Sequence, residues 1–206
     1  MSGAGSATND STPRVGVLAL QGDFREHVKV LSDFGANAVP IRRASELDQI
    51  DGLIIPGGES SVMDKLSRLF GLQEPLKAAI AGGLPVYGTC AGLIMLSSQI
   101  LDGIEGQESL GGIDIDVRRN AFGSQTDSFE VDLDIPAIGA SALHAVFIRA
   151  PVVERVGAQV TTLAKLDDGR VVAVEQGNLM GTSFHPEMTD DHRLHEYFLN
   201  KVRAAR

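Results

Sequence analysis

One stretch, residues 83–96, constrains the fold of this chain more than any other part of its sequence. Residues 84–87 form a short apolar run bracketed by glycines, which is typical of a buried strand. Residues 91–99 are mostly apolar and contain good helix formers, which predicts a helix that packs against a sheet. Only a few small residues separate the two elements, so the chain must turn sharply from the strand into the helix.

Cys90 stands at this turn and is the only cysteine in the chain. A residue at such an elbow is pushed out above the edge of the sheet, as the nucleophile of many hydrolases is. The free N–H groups and the positive dipole end of the following helix favour a thiolate over a thiol. The alternative is that Cys90 is only a small buried hydrophobic residue, which is the commonest role of a lone cysteine.

Length and charge restrict the classes of protein that remain. The chain has 206 residues and a net charge of −9, which favours a single domain and argues against nucleic acid or an anionic membrane as the main partner. One cysteine excludes an internal disulfide framework and fits a reducing cytoplasm. No apolar stretch approaches the roughly 20 residues of a membrane span. Residues 1–13 are predicted to be a disordered tail, and residues 14–206 a single domain.

The order of predicted elements indicates an α/β fold. Up to residue 99 strands and helices alternate, which predicts a parallel sheet covered by helices on both faces. Beyond residue 112 several segments alternate apolar and polar residues, as strands with one wet face do. The predicted strands are residues 14–20, 38–41, 52–55, 84–87, 113–117, 128–133, 146–148, 160–166, 171–176 and 179–184, and the predicted helices are residues 24–34, 44–49, 61–70, 72–81, 91–99 and 190–202.

A cysteine nucleophile needs a base, and the sequence offers one good candidate in His185. Pro186 disfavours a helical conformation at His185, so an extended backbone is predicted there. Residues two apart in an extended chain point the same way, which places the Glu187 carboxylate beside the imidazole. A carboxylate in that place orients one ring nitrogen and leaves the other for the thiol. The alternative is a chance His-Pro-Glu sequence in a loop.

The other four histidines are predicted to be surface or packing residues rather than bases. His27 lies in the first predicted helix, and His192 and His195 are assigned to the polar side of the last one. His144 is assigned to a loop.

Gly57 and Gly58 directly follow a buried strand. Two glycines allow backbone N–H groups to point into a site at the carboxyl edge of the sheet, where open α/β sheets bind ligands. Together with the N–H of Ala91, these amides are candidates for stabilising an oxyanion. The alternative is a plain turn in which Ser60 caps the next helix. No Gly-Lys-Ser/Thr sequence follows, which argues against a phosphate loop.

Three motifs together resemble those of the class I (triad) glutamine amidotransferases: residues 56–60, 88–92 and 185–187. Within that family the chain is most similar to the glutaminase subunits of pyridoxal 5'-phosphate synthases. The segments that carry this second similarity are residues 16–24 with Glu26 and His27, residues 119–123 with 127–130, and residues 146–151. The resemblance extends over nearly everything after Pro13.

This resemblance implies hydrolysis of L-glutamine to glutamate and ammonia, with the ammonia passed to a separate (β/α)8-barrel synthase subunit in a large hetero-oligomer. It implies no cofactor and no metal, and pyridoxal phosphate is the product of the partner. Carried over by position, Cys90 is the nucleophile, His185 the base and Glu187 the residue that orients it. The residues implied to line the glutamine site are Gly58, Glu59, Ser60, Arg119, Ile148 and Arg149, and the implied oxyanion amides are those of Gly57, Gly58 and Ala91.

Two features of the chain depart from the pattern of these relatives. Ser124 stands where many relatives have a basic residue, and residues 104–106 look like a slight lengthening. Both lie in the region expected to approach the partner.

The predicted fold is therefore a three-layer α/β/α domain with a mixed, mostly parallel central sheet, of the flavodoxin-like kind used by class I glutamine amidotransferases. Two alternatives remain beside the glutaminase of pyridoxal phosphate synthesis. One is a glutaminase subunit that serves a different synthase. The other is a catalytically silent flavodoxin-like binding module in which Cys90 is merely packed. Release of glutamate from glutamine, measured with and without a barrel partner, separates all three hypotheses.

Overall fold

The computed structural model describes residues 12–119 and 128–206. In these ranges the strands are β1 (Arg14–Leu18), β2 (Asn37–Ile41), β3 (Gly52–Ile55), β4 (Val86–Thr89), β5 (Ser97–Ile100), β6 (Ile113–Arg118), β7 (Ser128–Leu133), β8 (Leu143–Ile148), β9 (Val152–Val156), β10 (Thr161–Lys165), β11 (Val171–Gln176) and β12 (Leu179–Thr182). The helices are α1 (Phe24–Asp33), α2 (Ser60–Leu69), α3 (Gln73–Ala81), α4 (Ala91–Leu96) and α5 (Arg193–Ala204). Short 3₁₀ segments span Ala44–Gln49, Pro136–Ile138 and Pro186–Met188.

Ten of these strands form one sheet in the order β2-β1-β3-β4-β12-β11-β9-β6-β5, with β10 paired to β11. The half that contains β1 to β4 is parallel, and β12 joins it parallel to β4. The later strands β9, β10 and β11 add antiparallel pairs, while β5 and β6 are parallel to each other. The mixed α/β sheet predicted from the sequence is confirmed.

Helices cover the sheet on both faces, because its central strands are apolar along their whole length. On β3, Leu53 and Ile55 pack on the side of α2, α3 and α4, whereas Ile54 packs on the side of α1 and α5. β4 alternates in the same way, with Val86 on the first side and Tyr87 on the second. This period of two follows from the pleat of a strand, and a strand buried on both faces needs no polar residues.

A second, two-stranded sheet of β7 and β8 lies beside the main one. Its buried residues Leu133, Leu143 and Phe147 join the core formed by α1 and α5. The ring of Phe147 stacks on Phe129 with centroids 4.5 Å apart and contacts Phe184, the residue before His185. The hairpin thereby supports the segment that follows β12.

Two predicted helices need correction, and one strand was missed. The helix predicted for residues 91–99 ends at Leu96, and the chain continues as β5 because Ser97 is extended and pairs with Ile113. Strand β9 was not predicted, although Pro151 directly before it is a permitted strand start. The last helix begins at Arg193 rather than at residue 190.

The pairing of β4 with β12 fixes the position of the elbow. Thr89 lies opposite Thr182, and the N–H of Cys90 donates to the Thr182 carbonyl at 2.8 Å. Parallel neighbours end at the same edge of a sheet, so Cys90 and the residues after β12 leave the sheet side by side.

Two further predictions fall partly outside the described part of the chain. The tail predicted for residues 1–13 is described only from residue 12, and Pro13 is buried and accepts a hydrogen bond from the N–H of Asn37 at 2.9 Å. Ser124, residues 120–123 and residue 127 lie outside the described residues. Among the described helices, none combines the length and the apolar character needed to span a membrane.

Candidate active site

The turn from β4 into α4 is as sharp as the sequence predicts. Cys90 has φ 49° and ψ −103°, a conformation that side chains other than glycine rarely adopt. The turn closes only because its glycines lack side chains: a Cβ on Gly88 would lie 2.4 Å from the Gly92 carbonyl oxygen, and one on Gly92 would lie 2.0 Å from the Ile55 carbonyl oxygen. The elbow holds the Cys90 side chain at the edge of the sheet, where it is 6% exposed.

His185 and Glu187 lie directly after β12 and are both buried. His185 Nδ1 is 2.8 Å from Glu187 Oε1, the contact expected from the sequence. The route to this contact differs from the expected one, because Glu187 belongs to the 3₁₀ turn Pro186–Met188 and not to an extended strand. The N–H of His185 donates to the Val146 carbonyl at 2.9 Å, which ties the segment to β8.

The electrostatic environment keeps the His185 imidazole protonated. Burial alone lowers its pKa, but hydrogen bonds to the Cys90 side chain and to Glu187, together with their charges, outweigh burial and raise the pKa to about 10. At neutral pH the imidazolium therefore stands between a sulfur and a carboxylate. Such a group is ready to donate a proton to a leaving amine.

The glycine loop after β3 approaches this pair closely. A Cβ on Gly57 would lie 2.5 Å from Cε1 of His185 and 3.5 Å from Cβ of Cys90, so only glycine leaves room for both side chains. Gly58 has φ 145°, and a Cβ there would lie 2.0 Å from Nε2 of Gln21. Gly57 thus lies beside the Cys90 and His185 side chains, whereas Gly58 lies against Gln21. Ala91 directly follows Cys90 as the first residue of α4.

The next residues of this loop belong to a polar network with Arg119. Glu59 Oε1 accepts a hydrogen bond from Arg119 Nη2 at 2.9 Å, and Arg119 Nη1 donates to Gln107 Oε1 at 3.0 Å. Gln107 Nε2 donates to Ser60 Oγ at 3.0 Å, which closes the network. The structure therefore brings Glu59, Ser60 and Arg119 together. Ser60 does not cap α2; the cap is Glu59, whose side chain accepts the N–H of Ser61 at 3.2 Å.

Ile148 and Arg149 lie at the end of β8, two residues beyond the Val146 carbonyl that binds His185. Arg149 has φ 46°; among the described residues other than glycine, only Cys90 and Arg149 have a positive φ. Backbone strain of this kind is concentrated at functional sites, where the surrounding structure maintains it. The strain is consistent with a functional role for this turn.

His27 lies in α1, as predicted, whereas His195 and His144 occupy places that the sequence did not predict. His195 is fully buried in the core side of α5 and not on its polar side, because α5 turns His195 toward Tyr87 and His27. His27 is also fully buried and lies 3.4 Å from Glu187 Oε2. His144 is an exposed residue of β8, where its ring contacts Asp132 and Glu130.

Sequence reasoning missed Gln21 and Gln107 as parts of the site. Gln21 follows β1 at the same sheet edge as the glycine loop, and its Nε2 is 3.5 Å from the Glu59 carbonyl. Its position after a strand was a usable signal, since ligands of α/β folds bind at that edge. Gln107 lies in an irregular segment far along the chain, and no periodic pattern marks it.

Asp23, His185 and Glu187 offer side-chain atoms within 4.8 Å of one another, which is a spacing compatible with a metal. However, Glu187 Oε1 is already hydrogen-bonded to His185 Nδ1, and Asp23 Oδ2 is 3.9 Å from the same nitrogen. The His–carboxylate pair accounts for this grouping, and we assign no metal to it.

Known proteins resemble this chain over nearly its whole length. The model of the SNO glutamine amidotransferase family matches residues 17–204. A pyridoxal 5'-phosphate synthase subunit PdxT from Leifsonia xyli subsp. xyli is 68% identical over 193 residues, covering 94% of this chain and 98% of the relative. A protein of the same name from Clavibacter sepedonicus is 64% identical over 205 residues, covering 100% of this chain and 98% of the relative.

Solved structures give the same result for the fold. A crystal structure of a glutamine amidotransferase matches with a TM-score of 0.85 and 46% identity, covering 91% of this chain and 98% of the other. A chain in the structure of PurLQS from Thermotoga maritima shares the fold, with a TM-score of 0.67 at 18% identity, over 93% of this chain and 100% of the other. The fold and the family predicted from the sequence motifs are confirmed: this chain belongs to the SNO glutamine amidotransferase family.

Proposed function

We propose that this chain hydrolyses L-glutamine to L-glutamate and ammonia through a thioester on Cys90, and that it supplies the ammonia to a pyridoxal 5'-phosphate synthase partner. The observation that carries this proposal is the contact of one protonated histidine with both a sulfur and a buried carboxylate, at a strained elbow. The PdxT subunits that resemble this chain over nearly their whole length support the choice of synthase.

The proposed reaction runs in two stages. The Cys90 thiolate attacks the side-chain amide carbon of glutamine, and His185 gives its proton to the departing ammonia as the thioester forms. His185 then takes a proton from water, which attacks the thioester and releases glutamate and the thiolate. The backbone N–H groups of Gly57, Gly58 and Ala91 are our candidates for stabilising the oxyanion in each stage.

Gly58, Glu59, Ser60, Arg119, Ile148 and Arg149 are our candidates for binding the rest of the glutamine. Arg119 is the best placed to bind the α-carboxylate. Its side chain is only 12% exposed, and its two terminal nitrogens already donate to oxygen atoms of Glu59 and Gln107. A guanidinium binds a carboxylate with two parallel hydrogen bonds, which an ammonium cannot do.

Arg119→Lys is therefore expected to raise the KM for glutamine by about 10-fold or more, because hydrogen bonds to a charged group are lost, while kcat falls less. Steady-state measurement of glutamate release gives both constants. Arg118→Lys is the matched control: Arg118 precedes Arg119 and binds Glu154 at 2.7 Å in an exposed pair. If KM is the same in the two variants, Arg119 does not bind substrate.

The partner is proposed to be a (β/α)8-barrel subunit within a large hetero-oligomer. We further propose that residues 14–206 act as one amidotransferase domain in the cytoplasm, where a reducing environment preserves the single thiol. Ammonia that escaped to solvent would be lost to the synthase, so hydrolysis is useful only when the partner is bound. The Gly57–Gly58 peptide is the proposed point of control, because glycine allows it more than one orientation.

Addition of the purified synthase subunit is expected to raise glutaminase turnover at saturating glutamine by up to about 10²–10³-fold, the usual effect of one oxyanion donor. A synthase subunit that binds only one orientation of the Gly57–Gly58 peptide increases the fraction of the protein with that orientation. Glutamate release is measured while the synthase subunit is titrated, with an unrelated barrel protein as the control. High turnover of the chain alone, with no response to the synthase, would contradict the coupling but not the triad.

A further inference from the structure

The second carboxylate oxygen of Glu187 has an unusual environment. Oε1 accepts the hydrogen bond from His185, whereas Oε2 is buried and makes no hydrogen bond of standard geometry to any described residue. Nε2 of His27, in α1, lies 3.4 Å from this oxygen. A buried carboxylate oxygen without a donor is costly, so the residue that faces it matters to the whole triad.

His27 belongs to α1 and is fully buried among polar partners. Its Nε2 is 3.2 Å from Thr89 Oγ1, at the end of β4 and directly before Cys90. Its Nδ1 is 2.9 Å from Nε2 of His195 in α5. Burial first, and then the charges on His195 and His185, lower the pKa of His27 well below its usual range. His27 is thus a neutral imidazole with a single N–H at neutral pH.

The surroundings decide which nitrogen of His27 carries the proton. If it were Nδ1, Nε2 would present a lone pair to the Glu187 carboxylate, and His195 would keep a buried N–H at Nδ1, an atom without a hydrogen-bond partner among the described residues. If it is Nε2, the N–H points between Glu187 Oε2 and Thr89 Oγ1, and His195 donates to His27 Nδ1. The second arrangement avoids the repulsion and the unpaired donor.

We propose that His27 is a positioning residue for the triad: its Nε2–H holds the second oxygen of Glu187, while His195 fixes the tautomer of His27 from behind. The five side chains then form one buried line from α5 through α1 to the elbow, in the order His195, His27, Glu187, His185 and Cys90. This inference rests on the proposed function, since it concerns the orientation of the proposed base. The 3.4 Å contact is long, as active-site hydrogen bonds often are before substrate binds.

The titratable groups that face His27 come from each element packed against it. Glu187 and His185 approach from the segment after β12, and His195 approaches from α5 with His192 behind it at a ring-centroid distance of 5.8 Å. Burial, and then the charge on His192, lower the pKa of His195 to about 3. Glu187 is the only carboxylate among these residues, so a hydrogen-bond donor on His27 stabilises the charge of Glu187.

The sharpest test compares His27→Gln with His27→Asn. The amide nitrogen of glutamine falls near the place of Nε2, whereas that of asparagine falls near Nδ1, so only glutamine keeps a donor directed at Glu187. We expect kcat to fall about 10- to 100-fold in His27→Asn, the cost of one hydrogen bond to a charged group, and to stay near the original value in His27→Gln. KM for glutamine is expected to be unchanged in both.

A second readout separates positioning from simple packing. The rate at which iodoacetamide alkylates Cys90 reports the sulfur–imidazolium pair and needs no glutamine. The imidazolium is stable below the raised pKa of His185, about 10, and is lost as pH rises through that value. Weaker support from Glu187 lowers that pKa, so the alkaline limb of the alkylation profile is expected at lower pH in His27→Asn and unchanged in His27→Gln.

Leu31→Val serves as the packing control, because Leu31 is fully buried one turn further along α1 and belongs to the apolar core. It is expected to lose stability without a change in kcat or in the alkylation profile. Equal kcat values for the Gln and Asn variants, whether both high or both low, overturn the proposal. If the Asn variant does not fold, a shifted alkylation profile in His27→Gln overturns it instead. If the unmodified protein releases no glutamate even with the synthase subunit present, the proposed function fails, and the alkylation profiles still decide the role of His27.

Discussion

Cys90→Ala is expected to abolish the release of glutamate from glutamine while leaving the fold intact. No thioester forms without the sulfur, and the chain has no other cysteine to replace it. The fold should tolerate the change because alanine is smaller than cysteine and incurs the same backbone strain at φ 49°. We expect turnover to fall on the order of 10⁴-fold or more, as it does when the nucleophile of other hydrolases is removed.

Two measurements check this expectation. Glutamate release is assayed with the synthase subunit present, and circular dichroism and thermal unfolding show whether the variant is folded. A glutamine-mimicking alkylator should label the unmodified protein at Cys90 alone and should not label Cys90→Ala. Activity that survives in a folded alanine variant, or labelling of another residue, removes Cys90 from the role of nucleophile.

His185→Asn is expected to lower turnover by about 10⁴-fold or more, because it removes both the acid for the first stage and the base for the second. Glu187→Gln should cost less. It weakens the orientation and charge support of the imidazole, which holds its pKa near 10, but it leaves the proton carrier in place. The order of the two losses is as informative as their size.

His144→Asn is the matched control for this pair. The His144 ring also lies between acceptors, 2.9 Å from Asp132 and 2.8 Å from Glu130, but on the exposed face of the β7–β8 hairpin. Contact with a carboxylate is therefore common to both histidines, and contact with Cys90 is special to His185. Equal losses in the two folded variants would mean that His185 is not the base.

The main features of the fold were predictable from the sequence because its central strands are apolar along their whole length. Runs such as Gly52–Ile55 have no polar face, which requires layers on both sides of the sheet. The elbow was predictable too, since glycines flank Cys90 where no loop fits. These features are local, and each depends on a short run of residues.

The missed features depend on contacts between distant parts of the chain. Strand β5 replaces the end of a predicted helix because Ser97, Gln99 and Ile100 pair with β6. The Ser98 hydroxyl also donates to the Ile113 carbonyl at 3.0 Å. Tertiary pairing of this kind overrides local helix propensity. His195 was assigned to a polar helix face because histidine is a polar residue. The sequence of the helix does not show that His27, far away in the chain, packs against it. Buried polar pairs break the apolar pattern from which burial is predicted.

The opposition of Thr89 and Thr182 has a consequence for how such a protein diversifies. The spacing of nucleophile and base is determined by strand register, which changes only in whole residues of about 3.3 Å and reverses the side-chain face at each step. Gradual drift of that spacing is therefore not available to mutation. Loops such as residues 104–106, in contrast, accept insertions without altering the register. The surface loops can thus change and bind new partners, while the strand register keeps the positions of the nucleophile and the base.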